Sequence, residues 1–275
     1  MTLDKEARRR LARDTIDRSP SIVADHKHQG ASADSTFINS QLPPLDPLPD
    51  NLKSAHPVEI VNSDAFTLSR KLLADDPKGK VAVLNLASDI LPAGPWLQLL
   101  TTTQEEALCY SSTLYITLKK EYYPWPNLGP GCVAGVFSSG VVIFRDDLDH
   151  ECVELANAER RVVSVITVAA PARPELMADK TAFAKPETLV FLQEKIRLIY
   201  RIAGRNGQEY LVLGAMGCGA YGCPPRVVAT QMRDILLEPE FAGRFKRVVF
   251  AVYSRPGSGP GNFEVFTETF NGVEV

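Results

Sequence analysis

Two neighbouring acids, Glu105 and Glu106, stand where an apolar stretch gives way to a segment of helical period, and they are the residues placed to move a proton. A carboxyl kept partly protonated by burial or by a like charge serves as general acid, while its neighbour orients sugar hydroxyls. The same pair fits a structural role: Thr103-x-x-Glu106 has the pattern of a capping box, and acids in a first helical turn meet the positive end of the dipole. Both readings stand at this level. A second stretch, Gly214 to Gly222 (GAMGCGAYG), has the glycines of a phosphate cradle, with successive N–H groups able to point inward and a helix start after Pro224. It also suits a plain strand-to-helix connection. No Gly-Lys-Ser/Thr follows it, and its spacing is not that of the dinucleotide fingerprint. Tyr221 within it either stacks on a sugar or base or caps the core. Cys109 and Cys218 lack a partnered histidine and read as small buried hydrophobes. Asp146, Asp147 and Asp149 are a possible metal cluster and, more simply, a solvated turn.

These residues must be positioned by alternating strands and helices. Val81 to Ala87 is apolar almost without interruption and reads as a central strand buried on both faces. Gln104 to Leu118 follows as a helix. Further strands are expected at His56 to Val61, Ser139 to Phe144, Val162 to Ala169, Tyr210 to Gly214 and Arg247 to Tyr253. Helices are expected at Phe66 to Ala74, Pro186 to Ala203 and Arg226 to Leu237. Such alternation implies a parallel or mixed sheet covered on both faces, with ligands beyond the carboxyl ends of its strands. Those ends carry Ser88 to Pro95, Ala170 to Arg173, Met216 to Gly222 and Ser254 to Gly257. Ahead of this α/β region, residues 4 to 17 read as a peripheral helix. Residues 18 to 55, with Pro43, Pro44, Pro47 and Pro49, read as an irregular arm. The chain thus divides into a 1–55 extension, packed on or leading into the rest, and a 56–275 domain. Pro256 to Gly261 reads as loop, and the final fourteen residues as an edge strand or tail.

The bulk composition excludes several classes. With 275 residues, 45% hydrophobic and 23% charged, the chain is an ordinary globular protein with room for a substantial core. A net charge of −3 supplies no general attraction to nucleic acid or anionic membrane. No apolar run reaches the ~20 residues of a membrane span. The opening MTLDKEARRRLARD lacks the apolar core of a signal peptide. Five scattered cysteines point to a reducing compartment, hence an intracellular protein, cytoplasmic or nuclear. With four histidines, two of them in a polar stretch, a histidine-built metal cage is not expected.

Taken together, LNLAS, QEEALCYSSTLY, VVIFRDD, VITVAAPA, LVLGAMGCGAYG and FKRVVFAVYS resemble the microbial-type poly(ADP-ribose) glycohydrolase family, over about Val58 to Ser254 and with a similar leading helix. The resemblance implies a three-layer α/β/α, macrodomain-like mixed sheet with an amino-terminal helical and irregular extension. It also implies binding of ADP-ribose or ADP-ribosylated macromolecules and hydrolysis of an O-glycosidic bond of poly- or mono-ADP-ribose, without metal or cofactor. Neither membrane attachment nor sequence-specific nucleic-acid binding belongs to that picture. Matched to the family's motif, Glu106 is the acid/base, Glu105 holds the distal ribose hydroxyls, and Gln104 supports the loop. Ser88 stands where an Asn commonly contacts ribose. Gly94 falls in the first phosphate loop, and Gly217, Cys218, Gly219, Ala220 and Tyr221 form the second. Asp64 matches an adenine contact.

The match breaks at the first phosphate loop. Three consecutive glycines and an Asn-Gly pair are replaced here by Ala93-Gly94-Pro95 and Trp96-Leu97-Gln98-Leu99. Proline offers no N–H, and alanine does not take a positive φ cheaply. A lost charge-assisted hydrogen bond costs about 1.5–3 kcal/mol, a tenfold to hundredfold loss of affinity. A reader that binds ADP-ribose without cleaving it is therefore the alternative function, and an interaction scaffold that kept only the fold is a third.

Overall fold

The computed structural model describes residues 3–53, 55–254 and 261–275. Its framework is a seven-stranded sheet in the order β1-β4-β5-β3-β6-β7-β2. The strands are β1 (Ser35–Ile38), β2 (Glu59–Val61), β3 (Val81–Leu86), β4 (Gly135–Ile143), β5 (Arg161–Val168), β6 (Tyr210–Leu213) and β7 (Arg247–Ala251). From β5 through β2 all neighbours are parallel, whereas β4 runs antiparallel to both β5 and β1. β3 sits at the centre because its VAVLNL run can be buried on both faces. Val81 and Val83 enter one apolar cluster, and Ala82 and Leu84 enter the other.

The first cluster is closed by α1 (Lys5–Asp25), α2 (Ala65–Asp75) and α4 (Gln104–Ser111), with the four-residue α3 (Trp96–Leu99) beside them. The second is closed by α5 (Pro186–Arg205), α6 (Pro225–Leu236) and α7 (Asn262–Phe270), through Leu192, Ile196, Val228, Met232, Phe266 and Phe270. Three layers result, as the alternation of elements requires. Among the described residues no helix is long and apolar enough to cross a membrane.

Several boundaries differ from the sequence expectation for identifiable reasons. α1 continues through Pro20 to Asp25 instead of ending near residue 17, because its buried stripe Ala12, Thr15, Ser19 and Ile22 runs past the proline. Packing outweighs the roughly 3 kcal/mol that an interior proline costs. The arm is not wholly irregular: Ser35–Ile38 pairs with β4 and becomes an edge of the sheet. β4 begins four residues early, at Gly135. Within it Gly140 has no room for a β-carbon, since the backbone of Gly30 and Ser32 lies against it and Ser32 donates its N–H to the Gly140 carbonyl at 3.0 Å. The last fourteen residues are mainly helix α7, followed by a tail whose Glu274 bridges Pro57. Of the stretches Ser254 to Gly257 and Pro256 to Gly261, residues 255–260 lie outside the described residues.

Proline-rich residues 41–46 cross the α5 face, where side chains answer carbonyls that have no ladder partner. Arg201 donates to Leu42 O at 2.9 Å, Arg205 to Pro43 O at 2.7 Å, and Arg244 to Asp46 O. On the opposite face α1 is tied down by Arg145, which is 2% exposed. Its guanidinium donates to Tyr110 O at 3.0 Å and to Thr15, and pairs with Asp14. Arg145→Met removes the charge and leaves the Tyr110 carbonyl and Asp14 without it. The expected loss is about 2–4 kcal/mol of unfolding free energy, read from urea midpoints. A loss below about 0.5 kcal/mol would mean that the apolar stripe alone holds α1.

Candidate active site

The carboxyl end of β3 is the floor of the site. Its pairing with β6 ends at Val83, yet the strand continues to Leu86. Gln104, the first residue of α4, takes over the vacant edge: its amide donates to Leu84 O at 2.8 Å and accepts from Leu86 N at 2.9 Å. This docks the first turn of α4 against the strand and presses Glu105 and Glu106 inward. Gln104 therefore holds a strand rather than the loop assigned to it from sequence.

Both acids are 3% exposed. Glu105 accepts from Asn85 Nδ2 at 3.1 Å through one oxygen and from Ser88 N at 2.8 Å through the other. Ala93 N–H is a further backbone donor. Glu106 accepts from Thr101 Oγ1 at 2.6 Å and from Thr103 Oγ1. The capping-box alternative fails here: Thr103 is the N-cap but its side chain makes no cap hydrogen bond, because the hydroxyl points to the Glu106 carboxylate. Gly94 lies against both acids; a β-carbon there would sit 3.6 Å from Glu105 Oε2 and 3.8 Å from Glu106 Oε1. Neither acid faces an open crevice directly. A cleft of about 610 Å³ lined by Lys5, Arg8 and residues 99–103 lies behind the two threonines. Another, of about 800 Å³, opens at the amino ends of β3 and β5 beside Lys80 and Arg161, and includes none of these carboxylate contacts.

Burial pushes the Glu105 carboxyl up to about 8, outweighing the Ser88 and Asn85 donors, and the neighbouring Glu106 charge adds to the rise. Sequence reasoning passed over Asn85, Thr101 and the part played by Thr103. The visible signal for Asn85 was one amide inside an otherwise apolar central strand, fully buried and also bonded to Thr167 at 3.2 Å.

The two glycine-bearing loops differ in what they leave free. In the first, Ser88 N–H goes to Glu105, and Ser88 Oγ accepts from Ile90 N at 3.1 Å and Leu91 N at 3.4 Å. Asp89 N–H meets the Tyr221 hydroxyl, and Ala93 N–H meets Glu105. Gly94 N–H is taken by Leu91 O at 2.9 Å, and Pro95 has none. No spare donor remains, so Gly94 does not offer the phosphate contact expected of it. Ala93 does adopt a positive φ, 57°. Its complete burial and its bond to Glu105 hold it there, at a cost of about 1–2 kcal/mol.

In the second loop Cys218, Gly222 and Cys223 donate to Ala215, Gly219 and Gly217. Among the described residues no acceptor takes the N–H groups of Gly217, Gly219, Ala220 or Tyr221. Gly217 has φ 73°, and a β-carbon there would overlap Ala170 and come within 2.9 Å of Cys223 Sγ. Tyr221 bridges the loops, donating to Asp89 Oδ1 at 2.9 Å. Cys218 is half-buried, its thiol pushed up by burial. Asp64 caps α2 through Oδ1, accepting from Phe66 N at 2.8 Å and Thr67 N at 2.9 Å, and burial pushes its carboxyl up to about 6. Asp146, Asp147 and His150 approach one another, but Asp146 pairs with Arg70 and Asp147 accepts from Thr67 at 2.7 Å.

A family profile described as the catalytic domain of microbial-type PARG matches residues 20–146, which take in the first loop and the carboxylate pair. No curated protein sequence matches the chain. Among solved structures the chain is similar to the poly(ADP-ribose) glycohydrolase of Thermomonospora curvata bound to the inhibitor ADP-HPD. Identity is 26% and the TM-score 0.78, over 96% of this chain and 99% of that one. It is also similar to the poly(ADP-ribose) glycohydrolase of Deinococcus radiodurans in complex with ADP-ribose. There identity is 31% and the TM-score 0.64, over 78% of this chain and 84% of that one.

The raised Glu105 carboxyl has a consequence for stability. Unfolded, it releases its proton near the ordinary 4.5; folded, it keeps it to about 8. The native state therefore binds the extra proton between those values, and this group's contribution to stability falls as pH rises through that window. Glu105→Gln removes the titration, so its urea midpoint is expected to fall less than that of the wild type between about pH 5 and pH 8. Equal slopes in the two proteins would mean that Glu105 is ionised when folded.

Proposed function

The chain belongs to the microbial-type poly(ADP-ribose) glycohydrolase family, and on that footing we propose that it hydrolyses the O-glycosidic bond of poly(ADP-ribose), with mono-ADP-ribosylated macromolecules as a further substrate class. The observation that carries this reading is the convergence of two buried carboxylates on Gly94 at the carboxyl end of the central strand. The two acids have different surroundings and so different tasks. Glu106 is held by two hydroxyls, donors that rotate away easily, and a glycosidic oxygen replaces one of them. Glu106, which takes up a proton as substrate binds, gives it to that oxygen as the bond to the anomeric carbon breaks. It then takes a proton from the water that adds to the oxocarbenium-like sugar. Glu105, fixed by Asn85, Ser88 and Ala93, is a rigid acceptor for ribose hydroxyls.

The diphosphate falls to the unspent N–H groups of Gly217, Gly219, Ala220 and Tyr221, with Cys218 between them. Ser88 shapes this side of the pocket through its backbone, its hydroxyl being occupied within the loop. Asp64, whose Oδ1 is committed to α2, presents its other oxygen to an adenine amine. Five free cysteines suit a reducing, intracellular setting.

Glu106→Gln is expected to slow release of ADP-ribose from the polymer about 10²- to 10⁴-fold. Equal rates in variant and wild type would remove Glu106 from the mechanism.

The fully spent first loop favours a second reading, a module that binds ADP-ribose and leaves it intact. Tight binding by calorimetry, with no product over hours, would establish it. Under either reading Pro95→Ala adds one N–H to the first loop. An ADP-ribose affinity about tenfold higher is expected by titration; an unchanged affinity would mean that position 95 does not face the diphosphate.

A further inference from the structure

Glu106 has two sides. Gly94 lies on one, and on the other Thr101 and Thr103 separate it from the cleft of about 610 Å³ whose far wall is the start of α1. That wall carries Lys5 and Arg8. The neighbouring arginines of the same helix have a carboxylate, Arg9 meeting Glu6 at 2.6 Å and Arg10 at 3.8 Å. Among the described residues neither Lys5 nor Arg8 has an acidic partner, and Arg8 Nε is buried with none of any kind. Lys5 is also the first residue of α1, where the helix dipole already presents positive charge. Two unpaired cations over a cleft, one at a dipole end that disfavours it, form a local field that an anion relieves. Near this junction the fully buried Trp96 and Tyr110 pack edge to face against each other, and the Tyr110 phenol feels the Arg8 charge.

We propose that this cleft receives the leaving-group side of the substrate, with Lys5 and Arg8 as the subsite for the diphosphate of the next ADP-ribose unit. The inference rests on the glycohydrolase reading for the direction of the bond across Glu106. The unit to be released lies toward Gly94 and the second loop. The oxygen that leaves carries the rest of the polymer past Thr101 and Thr103 toward α1. Lys5 and Arg8 are one helical turn apart, so both cations share one face. They act on binding and orientation, not on the proton.

The test compares affinities for an ADP-ribose oligomer and for monomeric ADP-ribose, in a Glu106→Gln background so that the oligomer survives. The oligomer is expected to bind about tenfold more tightly, and Lys5→Gln/Arg8→Gln to abolish that advantage, with an unchanged unfolding midpoint showing that α1 is intact. Raising salt should erode the advantage in the parent in the same way. Equal binding of oligomer and monomer by the parent, or an advantage that survives loss of both cations, would overturn the subsite. Failure of the wild type to cleave polymer would overturn the proposed function instead, and would leave this affinity ratio to be read on its own.

Discussion

Two adjacent carboxylates withdrawn from water are the constraint around which this site is built. A buried acid is tolerable when donors surround it or when it keeps its proton, and both devices are in use. Asn85 interrupts an apolar strand to reach Glu105, the Ser88 and Ala93 N–H groups face the same carboxyl, and two threonines answer Glu106. The Glu105 contacts require α4 to start against the end of β3, and Gln104 sets that start by replacing the missing ladder partner. The fold brings these donors together from β3, the loop after it and the first turn of α4.

The loops beyond the strands divide their donors unevenly. The first turns its N–H groups toward Glu105 and toward itself, leaving a rigid support for the acids. The second keeps four N–H groups unspent around a glycine that admits no side chain. Tyr221 joins the two through Asp89. In this chain the loop that lacks the glycine run is given over to holding carboxylates, and the donors left without acceptors among the described residues lie in the other.

The amino-terminal residues join both outer layers. α1 closes the face that holds α4 and is anchored by a buried arginine, so the wall opposite Glu106 is set by the core and not by a loose extension. The proline arm that follows gives one strand to the sheet and then lies along α5, where arginines satisfy carbonyls that proline leaves without a ladder.

The amino-acid sequence by itself determined the layer architecture, the central position of Val81 to Leu86 and the place of the acids at a helix start. Periodicity and unbroken apolar runs are local properties. The glycine turn and the QEEALC segment were legible for the same reason. What the tertiary structure decided was where hydrogen bonds end. The capping-box pattern gave Thr103 a place at its own helix start, and the structure turns its hydroxyl to the Glu106 carboxylate instead. Ala93 reads only as a costly place for a positive φ, and its burial and its bond to Glu105 outweigh that strain. The leading helix reads as residues 4 to 17 until the packing of Ser19 and Ile22 carries α1 past Pro20. For Ala93 and Pro20 a local preference of about 1–3 kcal/mol was overruled by packing that a local window does not contain.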